Sequence, residues 1–358
     1  MKMVLKTLSA VAVVSLILTA PTASAAPASC SCLSQTVAFM DGDVRLEGTF
    51  SVPEGKGRFP AIILLAGSGP NNRDEIAVWP GQPPQGFGKF AVLSTALTQA
   101  GFAVFRYDKR GIAGSGGDYN SATFDSFTSD ALAALAWLRT RAEVDRNHIG
   151  LVGDSEGGSV ATVITARDAG LHELVLLSTP ALPYEQVSLL QHAAMARAEG
   201  RSSADIAADE ALYHQVYEVV RTSPSADAAR AQLEAMAPPL VAAGRLSQAQ
   251  ADAGIAGVTT PFVFGMMGFD PAPYLRQVHV PVLVIQGALD TQVPATENLS
   301  AMRSTLHGPD VDIAEMAGIN HQLQAAMTGA PSEYERLEQT VDPAVMTKVL
   351  DWLQSHGR

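Results

Sequence analysis

The chain has 358 residues, 47% of them hydrophobic, and a formal net charge of −12. This length and composition support a large buried core and argue against a disordered chain. The acidic balance argues against nucleic acid as a partner, because binding to phosphate backbones depends on Lys and Arg. No basic run indicates stable binding of the mature chain to a membrane.

Residues 1–25 have the pattern of a secretory signal peptide. Lys2 and Lys6 precede an apolar stretch at 8–18, and the small-x-small sequence Ala23-Ser24-Ala25 follows it. The alternative, a membrane anchor, is disfavoured because the apolar stretch is short for a transmembrane helix. We predict cleavage near Ala25 and a periplasmic or extracellular mature chain. Removal of two lysines and no acids would shift the net charge from −12 to −14.

The two cysteines, Cys30 and Cys32, lie close together near the predicted mature N-terminus. An oxidising compartment permits a disulfide, but so short a loop is geometrically awkward and adds little loop entropy. An incidental pair, a strained local bridge and an intermolecular bridge all remain open. With no histidine nearby, the pair does not form a zinc site.

The hydrophobic pattern predicts alternating strands and helices. Residues 36–40 and 44–52 are predicted strands joined by a turn at 41–43. Apolar runs predict further strands at 60–66, 103–107, 149–152, 174–177 and 282–285, with a more mixed run at 311–314. Helices are predicted at 87–99, 128–141, 159–169, 294–306 and 343–353. This alternation indicates an α/β fold with a mostly parallel, doubly wound sheet.

Residues 182–275 interrupt the alternation. They contain no strand-like run and are rich in helix-forming residues, and Pro224 and Pro238-Pro239 are expected to divide them into separate helices. We predict a helical cap inserted between core segments 26–181 and 276–358, since a loop of this length is rare in a compact domain. The alternative is an extended edge with no part in the functional site.

The sequence Gly153-Asp-Ser155-Glu-Gly157 is a G-x-S-x-G motif between a predicted strand and a predicted helix. A serine on such a turn has a strained backbone and an exposed hydroxyl at a helix N-terminus. We therefore predict that Ser155 is a catalytic nucleophile. The alternative is a glycine-rich structural turn.

A serine nucleophile needs a base and an acid that orients the base, in the chain order Ser, Asp or Glu, His in this type of fold. His321 follows the last predicted strand, and Asp290 follows the strand at 282–285. We predict these two residues as base and acid, against a satisfied surface histidine and a turn or N-cap aspartate as alternatives. The weaker candidates are His172, His192, His214, His279, His307, His356, Asp270, Asp310 and Asp312.

Two backbone amides are needed to bind the oxyanion of an acyl-transfer intermediate. The Glu156 amide is one predicted donor, and the Ser68 amide, with Gly69 next, is the other. The glycine-rich segment 66–70 lacks the spacings of nucleotide-binding loops. Asn71 and Arg73 continue that loop and are candidate substrate contacts, with capping of the loop as the equally weighted alternative. The charges at 108–110 are expected to brace neighbouring loops.

Several of these segments also occur in one family. They are 65–70, 73–74, 105–111, 153–158, 270–273, 287–290 and 320–321. With them the chain resembles bacterial α/β-hydrolase esterases related to the dienelactone-hydrolase and prolyl-oligopeptidase-like groups. The resemblance implies an α/β-hydrolase fold and hydrolysis of a small-molecule carboxylic ester by a serine enzyme, with no metal and no organic cofactor. Ala66 departs from the pattern, because many relatives carry His there.

Three other functions use the same residues or the same scaffold. A thioesterase or acyltransferase would employ the same triad, and a peptidase is a less favoured alternative. A binding protein on an inactive hydrolase scaffold is the non-enzymatic alternative.

Overall fold

The computed structural model describes residues 32–79 and 81–356, so the predicted signal peptide and Cys30 lie outside it. The strands are β1 (Cys32–Asp41), β2 (Val44–Pro53), β3 (Phe59–Leu65), β4 (Ala103–Tyr107), β5 (Val144–Asp154), β6 (Leu174–Leu177), β7 (Val282–Gly287) and β8 (Val311–Met316). The helices are α1 (Lys89–Gln99), α2 (Phe124–Leu138), α3 (Glu156–Arg167), α4 (Tyr184–Ala198), α5 (Ser203–Thr222), α6 (Ala226–Ala242), α7 (Gln248–Val258), α8 (Pro261–Met266), α9 (Ala272–Leu275), α10 (Ala295–Thr305) and α11 (Pro343–His356), with a 3-10 helix at Pro331–Arg336.

The strands form one sheet in the order β1-β2-β4-β3-β5-β6-β7-β8. The first two strands run antiparallel to their neighbours, and all pairs from β4 to β8 are parallel. The carboxyl ends of the parallel strands therefore lie along one edge, where functional sites of open α/β sheets gather. The predicted α/β-hydrolase fold is confirmed.

Alternate residues of the central strands face opposite helical layers. Ile63 and Phe105 pack with α2, α3 and α10, whereas Ile62 and Val104 pack with α1 and α11. Because both faces are covered, these strands are apolar without a polar alternation, as the sequence pattern indicated. The helices on both sides make the sheet doubly wound.

Strand β1 begins four residues before the predicted strand. It pairs with β2 along its whole length, from Cys32 opposite Pro53 to Asp41 opposite Val44. Its extra residues are mostly exposed, so they are held by backbone hydrogen bonds to β2 rather than by burial of apolar side chains. A prediction from hydrophobicity alone therefore could not detect them.

A capping box explains why α2 begins earlier than the sequence pattern predicts. Thr123 Oγ1 accepts a hydrogen bond from the Ser126 amide at 3.1 Å, and Ser126 Oγ accepts one from the Thr123 amide at 3.3 Å. This capping box starts the helix at Phe124, four residues earlier than predicted.

Six helices, α4 to α9, lie between β6 and β7. We call this segment, 182–275, the helical insertion. Pro224 separates α5 from α6 as expected, but the expectation that Pro238-Pro239 would divide two helices was wrong, because both prolines lie inside α6. Each proline lacks the N–H that would bond to the carbonyl four residues earlier, but Leu233 and Ala237 pack in the insertion's interior and support the helix across this point.

Aromatic pairs join the insertion to the core. Phe269 packs on Phe124 with ring centroids 4.7 Å apart, and Phe262 packs on Phe127 at 5.8 Å. Within the insertion, α5, α6 and α7 surround an apolar cavity of about 60 Å³. His192 borders this cavity, and burial lowers its pKa to about 4, so it is neutral at physiological pH.

No helix among residues 32–79 and 81–356 is long and apolar enough to cross a membrane.

Phe105 is fully buried on β4 and contacts Phe39, Phe50 and Trp137. We expect Phe105→Ala to lower the free energy of unfolding by about 3–5 kcal/mol, because it removes a large side chain and leaves a cavity. Urea unfolding followed by circular dichroism measures this change. Leu132→Ala, at a side chain 43% exposed, is the control and should change stability by less than about 0.5 kcal/mol. Equal effects of the two substitutions would contradict the assigned core.

Candidate active site

Ser155 lies on a tight turn between β5 and α3, with φ 50° and ψ −117°. A positive φ is unfavourable for a side chain with a Cβ, so the surrounding structure must hold this conformation in place. The Ser155 amide donates to Leu177 O at 2.8 Å, which fixes the turn to the end of β6. A Cβ at Gly157 would lie 2.0 Å from Leu65 O, so only glycine allows α3 to start this close to β3.

His321 and Asp290 form a buried hydrogen-bonded pair. The His321 Nδ1 atom lies 3.0 Å from Asp290 Oδ1 and 2.9 Å from Oδ2. The Asp290 carboxylate also accepts bonds from the Gln292 and Val293 amides and from Gln286 Nε2, at 2.7–2.9 Å. These donors stabilise the carboxylate and fix its orientation, and Nε2 is the imidazole nitrogen left for proton transfer.

The Ser155 turn and the His321 loop meet over the end of β6. Leu177 O binds the Ser155 amide, and the next residue, Ser178, donates its hydroxyl to His321 O at 3.1 Å. Ser178 itself is buried with φ 46°. The Ser155 hydroxyl makes no hydrogen bond to His321 within the described part of the chain. Such bonds are often long before substrate binds.

We call residues 66–70 the oxyanion loop. Hydrogen bonds to both the amide and the carbonyl of Gly67 hold this loop in place. The Gly67 amide donates to Glu75 Oε1 at 2.8 Å, and Gly67 O accepts from Lys109 Nζ at 2.6 Å and Asn71 Nδ2 at 2.8 Å. Near this loop, burial raises the pKa of the half-buried Tyr119 phenol, and the Gly69 backbone partly offsets that increase. Ser68 and Gly69 both remain predicted oxyanion donors from this loop.

Each acid that flanks Ser155 is paired with a buried lysine. Lys89 Nζ on α1 lies 2.9 Å from Asp154 Oδ2, and Lys109 Nζ lies 3.0 Å from Glu156 Oε1. All four side chains are buried. Because a buried charge without a partner is costly, the two pairs tie the serine turn to α1 and to the loop after β4.

A model of the X-Pro dipeptidyl-peptidase (S15) family matches residues 41–310, a region that contains the Ser155 turn and Asp290. The chain belongs to this family.

Other relatives of this S15-family chain include esterases. Esterase EstD of Thermotoga maritima is 23% identical over 309 residues, which are 86% of this chain and 65% of that esterase. The chain thus matches a little less than two thirds of that relative's length. A Pyrococcus furiosus esterase structure aligns with TM-score 0.57 and 17% identity, covering 92% of both chains. A Mycobacterium smegmatis proline iminopeptidase aligns with TM-score 0.54 and 19% identity, covering 90% of this chain and 99% of that one. The resemblance to bacterial α/β-hydrolase esterases is confirmed.

The structure changes the interpretation of Asn71 and Arg73. Asn71 is buried, and its Nδ2 donates to Gly67 O and Ser68 O within the loop. Arg73 forms ion pairs with Asp108 and Glu47. The donor atoms of both side chains are engaged inside the protein, so we correct the predicted substrate contacts to bracing of the loop.

The charges at 108–110 brace neighbouring loops, as the sequence indicated. Asp108 binds Arg73 and Lys109 binds Glu156, while Arg110 binds Asp41 and Asp130.

Several competing candidates are engaged in other parts of the fold. His192 in the insertion bonds Tyr217, and Asp270 caps α9 through the Ala272 amide. Four further candidates form three pairs away from the Ser155 turn: His172 with Glu173, His356 with Asp310, and Asp312 with Lys348.

Sequence reasoning missed four residues that support the site, namely Glu75, Lys89, Ser178 and Gln286. Gln286 carried a usable signal, since it is an amide inside the apolar run of β7 and buried amides need partners. Lys89 and Glu75 carried none, because their partners come from distant elements. Over the described residues, no group of three or more His, Cys, Asp or Glu side chains is arranged to hold a metal ion.

Gly157→Ala would place a methyl group against Leu65 O, directly before the oxyanion loop. We expect hydrolase activity to fall by about 10²-fold or more, because a displacement of about 1 Å at reacting groups costs that much. Purified variants would be compared by turnover of an activated ester and by thermal unfolding. Gly265→Ala is the control, since nothing lies within 4 Å of its added Cβ. Wild-type activity in Gly157→Ala would contradict the close packing of α3 on β3.

Proposed function

We propose that this S15-family chain hydrolyses carboxylic esters through an acyl-enzyme on Ser155. The observation that carries the proposal is the buried Asp290–His321 pair, held by Ser178 over the same strand end that fixes the Ser155 turn. The esterases among its relatives support the ester as substrate class.

The arrangement supports a two-step reaction. Ser155 Oγ attacks the ester carbonyl while His321 Nε2 takes its proton, and Asp290 stabilises the imidazolium through Nδ1. The Ser68 and Glu156 amides bind the oxyanion, helped by the N-terminus of α3. The protonated His321 then gives its proton to the leaving alcohol. Water attacks the acyl-enzyme with His321 again as the base, which releases the acid and regenerates Ser155. No metal or organic cofactor is part of this proposal.

Ser155→Ala removes the attacking oxygen with little change in packing. We expect turnover of a short p-nitrophenyl ester to fall by about 10⁶-fold. Steady-state kinetics with p-nitrophenyl acetate measures the loss, and circular dichroism checks that the variant is folded.

Ser304→Ala, at an exposed serine on α10, is the matched control and should keep wild-type turnover. A fluorophosphonate probe should label the wild type and Ser304→Ala at Ser155 and leave Ser155→Ala unlabelled. Near-normal turnover by Ser155→Ala would refute the assignment of Ser155 as the nucleophile. Absence of labelling in the wild type would favour the inactive-scaffold alternative.

A peptidase is the second candidate, favoured by the matched family and by the proline iminopeptidase fold. Glu156, the acid next to the nucleophile, is already paired with Lys109. It is therefore not free to bind the amino group of a peptide. Comparing kcat/KM for X-Pro p-nitroanilides and for p-nitrophenyl esters distinguishes the two functions, and a higher value for the anilides would favour the peptidase.

A thioesterase or acyltransferase would use the same triad. Turnover of matched oxygen esters and thioesters, each with and without an added amine or alcohol acceptor, separates these activities from ester hydrolysis.

We also propose export with cleavage after residue 25, on the strength of the sequence pattern of residues 1–25. The mature chain would act on small-molecule esters outside the cytoplasm, without stable membrane insertion or nucleic-acid binding. Mass spectrometry of the N-terminus after cell fractionation tests this, and an uncleaved cytoplasmic chain would refute it.

A further inference from the structure

Glu75 has a strained backbone and a buried carboxyl group. Its φ is 62°, a left-handed conformation that is unusual outside glycine, and its side chain is buried beside the oxyanion loop. Glu75 Oε1 accepts the Gly67 amide at 2.8 Å. A non-glycine residue kept in such a conformation at an active site points to a role for its side chain.

Glu75 shares its surroundings with two charged groups from other elements. Lys89 Nζ of α1 lies 3.5 Å from Glu75 Oε2 and 2.9 Å from Asp154 Oδ2 at the end of β5. Asp154 directly precedes Ser155. Thus a single lysine faces two buried carboxyl groups, one attached to the oxyanion loop and the other to the nucleophile turn.

Three polar atoms of this cluster are buried without a hydrogen-bond partner among the described residues, namely Glu75 Oε2, Asp154 Oδ1 and Lys89 Nζ. A proton shared between the Glu75 and Asp154 carboxyl groups, which interact with each other, would give this cluster a further donor, since a protonated carboxyl donates and a carboxylate accepts. With that proton, one positive and one negative charge remain, and the buried cluster is neutral. Without it, the cluster carries an unbalanced negative charge.

We propose that Glu75 is a positioning residue that, with Lys89 and Asp154, forms a proton-sharing, charge-balanced clamp between the oxyanion loop and the Ser155 turn. The clamp sets where the Ser68 amide stands relative to the attacking hydroxyl. Loss of the shared proton places negative charge behind the loop, makes two carboxylates repel and weakens binding of the oxyanion. The inference rests on the proposed ester hydrolysis.

The titratable groups that face Glu75 agree with this clamp. Burial, followed by the charge of Asp154, raises the pKa of Glu75 to about 8. Burial lowers the pKa of Lys89, but Asp154 and Glu75 outweigh it and raise the pKa, so the lysine stays charged. Lys109 and Glu156 are on the other side of Gly67 and pair with each other. The active, protonated form of Glu75 therefore prevails below about pH 8 and is lost as the pH rises above it.

Glu75→Gln tests the clamp, because glutamine can still accept the Gly67 amide and donate to Asp154 but cannot ionise. The rate constant for fluorophosphonate labelling of Ser155 is measured from pH 6 to 10, together with hydrolysis of methyl butyrate by pH-stat titration. In the wild type both rates should fall about tenfold between pH 7.5 and 9.5. In Glu75→Gln this fall should be absent or shifted to higher pH.

Glu75→Ala removes both the acceptor and the shared proton. We expect kcat for methyl butyrate to fall about 10- to 100-fold with little change in KM, because the oxyanion donor acts mainly in the transition state. Glu54→Gln, at an exposed glutamate after β2, is the control and should keep the wild-type pH profile.

The same alkaline fall in Glu75→Gln as in the wild type would overturn the clamp, and so would wild-type kcat in Glu75→Ala. If Ser155 is labelled with the expected pH dependence but no ester is hydrolysed, the clamp stands and the ester proposal fails. Absence of labelling at Ser155 would overturn both.

Discussion

The candidate site depends on the pairing of two buried negative charges with positive charges. Asp154 and Glu156 flank Ser155, and both are buried where the turn presses against the sheet. Removing an unpaired carboxylate from water costs several kcal/mol, so each acid needs a cation at the same depth. Lys89 and Lys109 supply these cations from separate elements. The two ion pairs therefore link the strained serine turn to α1 and to the loop after β4, which couples the geometry of the candidate site to the surrounding fold.

The parallel sheet explains how distant segments meet. Ser155 follows β5, Ser178 follows β6, Asp290 follows β7 and His321 follows β8, and these four strands are neighbours in the sheet. Neighbouring parallel strands all end at the carboxyl edge of the sheet, so the loops that follow them lie side by side. Ser155, Ser178, Asp290 and His321, to which the proposed mechanism gives separate roles, thus follow the order of the strands.

The sequence predicted those parts of the structure that depend on local pattern. Apolar runs located the buried strands, and the glycines around Ser155 marked a turn where side chains would clash. Asp290 and His321 followed from chain order and from their positions after strands, and the structure places them in contact.

Features that depend on long-range partners escaped prediction. The loop residues Asn71 and Arg73 looked available for substrate because their partners are Gly67 O and Asp108, which the sequence does not reveal as neighbours. Pro238-Pro239 looked like a break, but tertiary packing of Leu233 and Ala237 keeps α6 continuous. No sequence pattern distinguishes Glu75, and only the folded chain shows it between Gly67 and Lys89.

The helical insertion leaves the sheet at Leu177 and returns at Val282, the first residue of the adjacent strand. Because β6 and β7 are parallel, the chain leaves β6 at one edge of the sheet and must return to the opposite edge before β7 begins. The helices between the two strands can lengthen, shorten or change composition without altering the pairing of β6 with β7. Changes in the insertion can therefore occur without disturbing the strand ends that carry Ser155, Asp290 and His321.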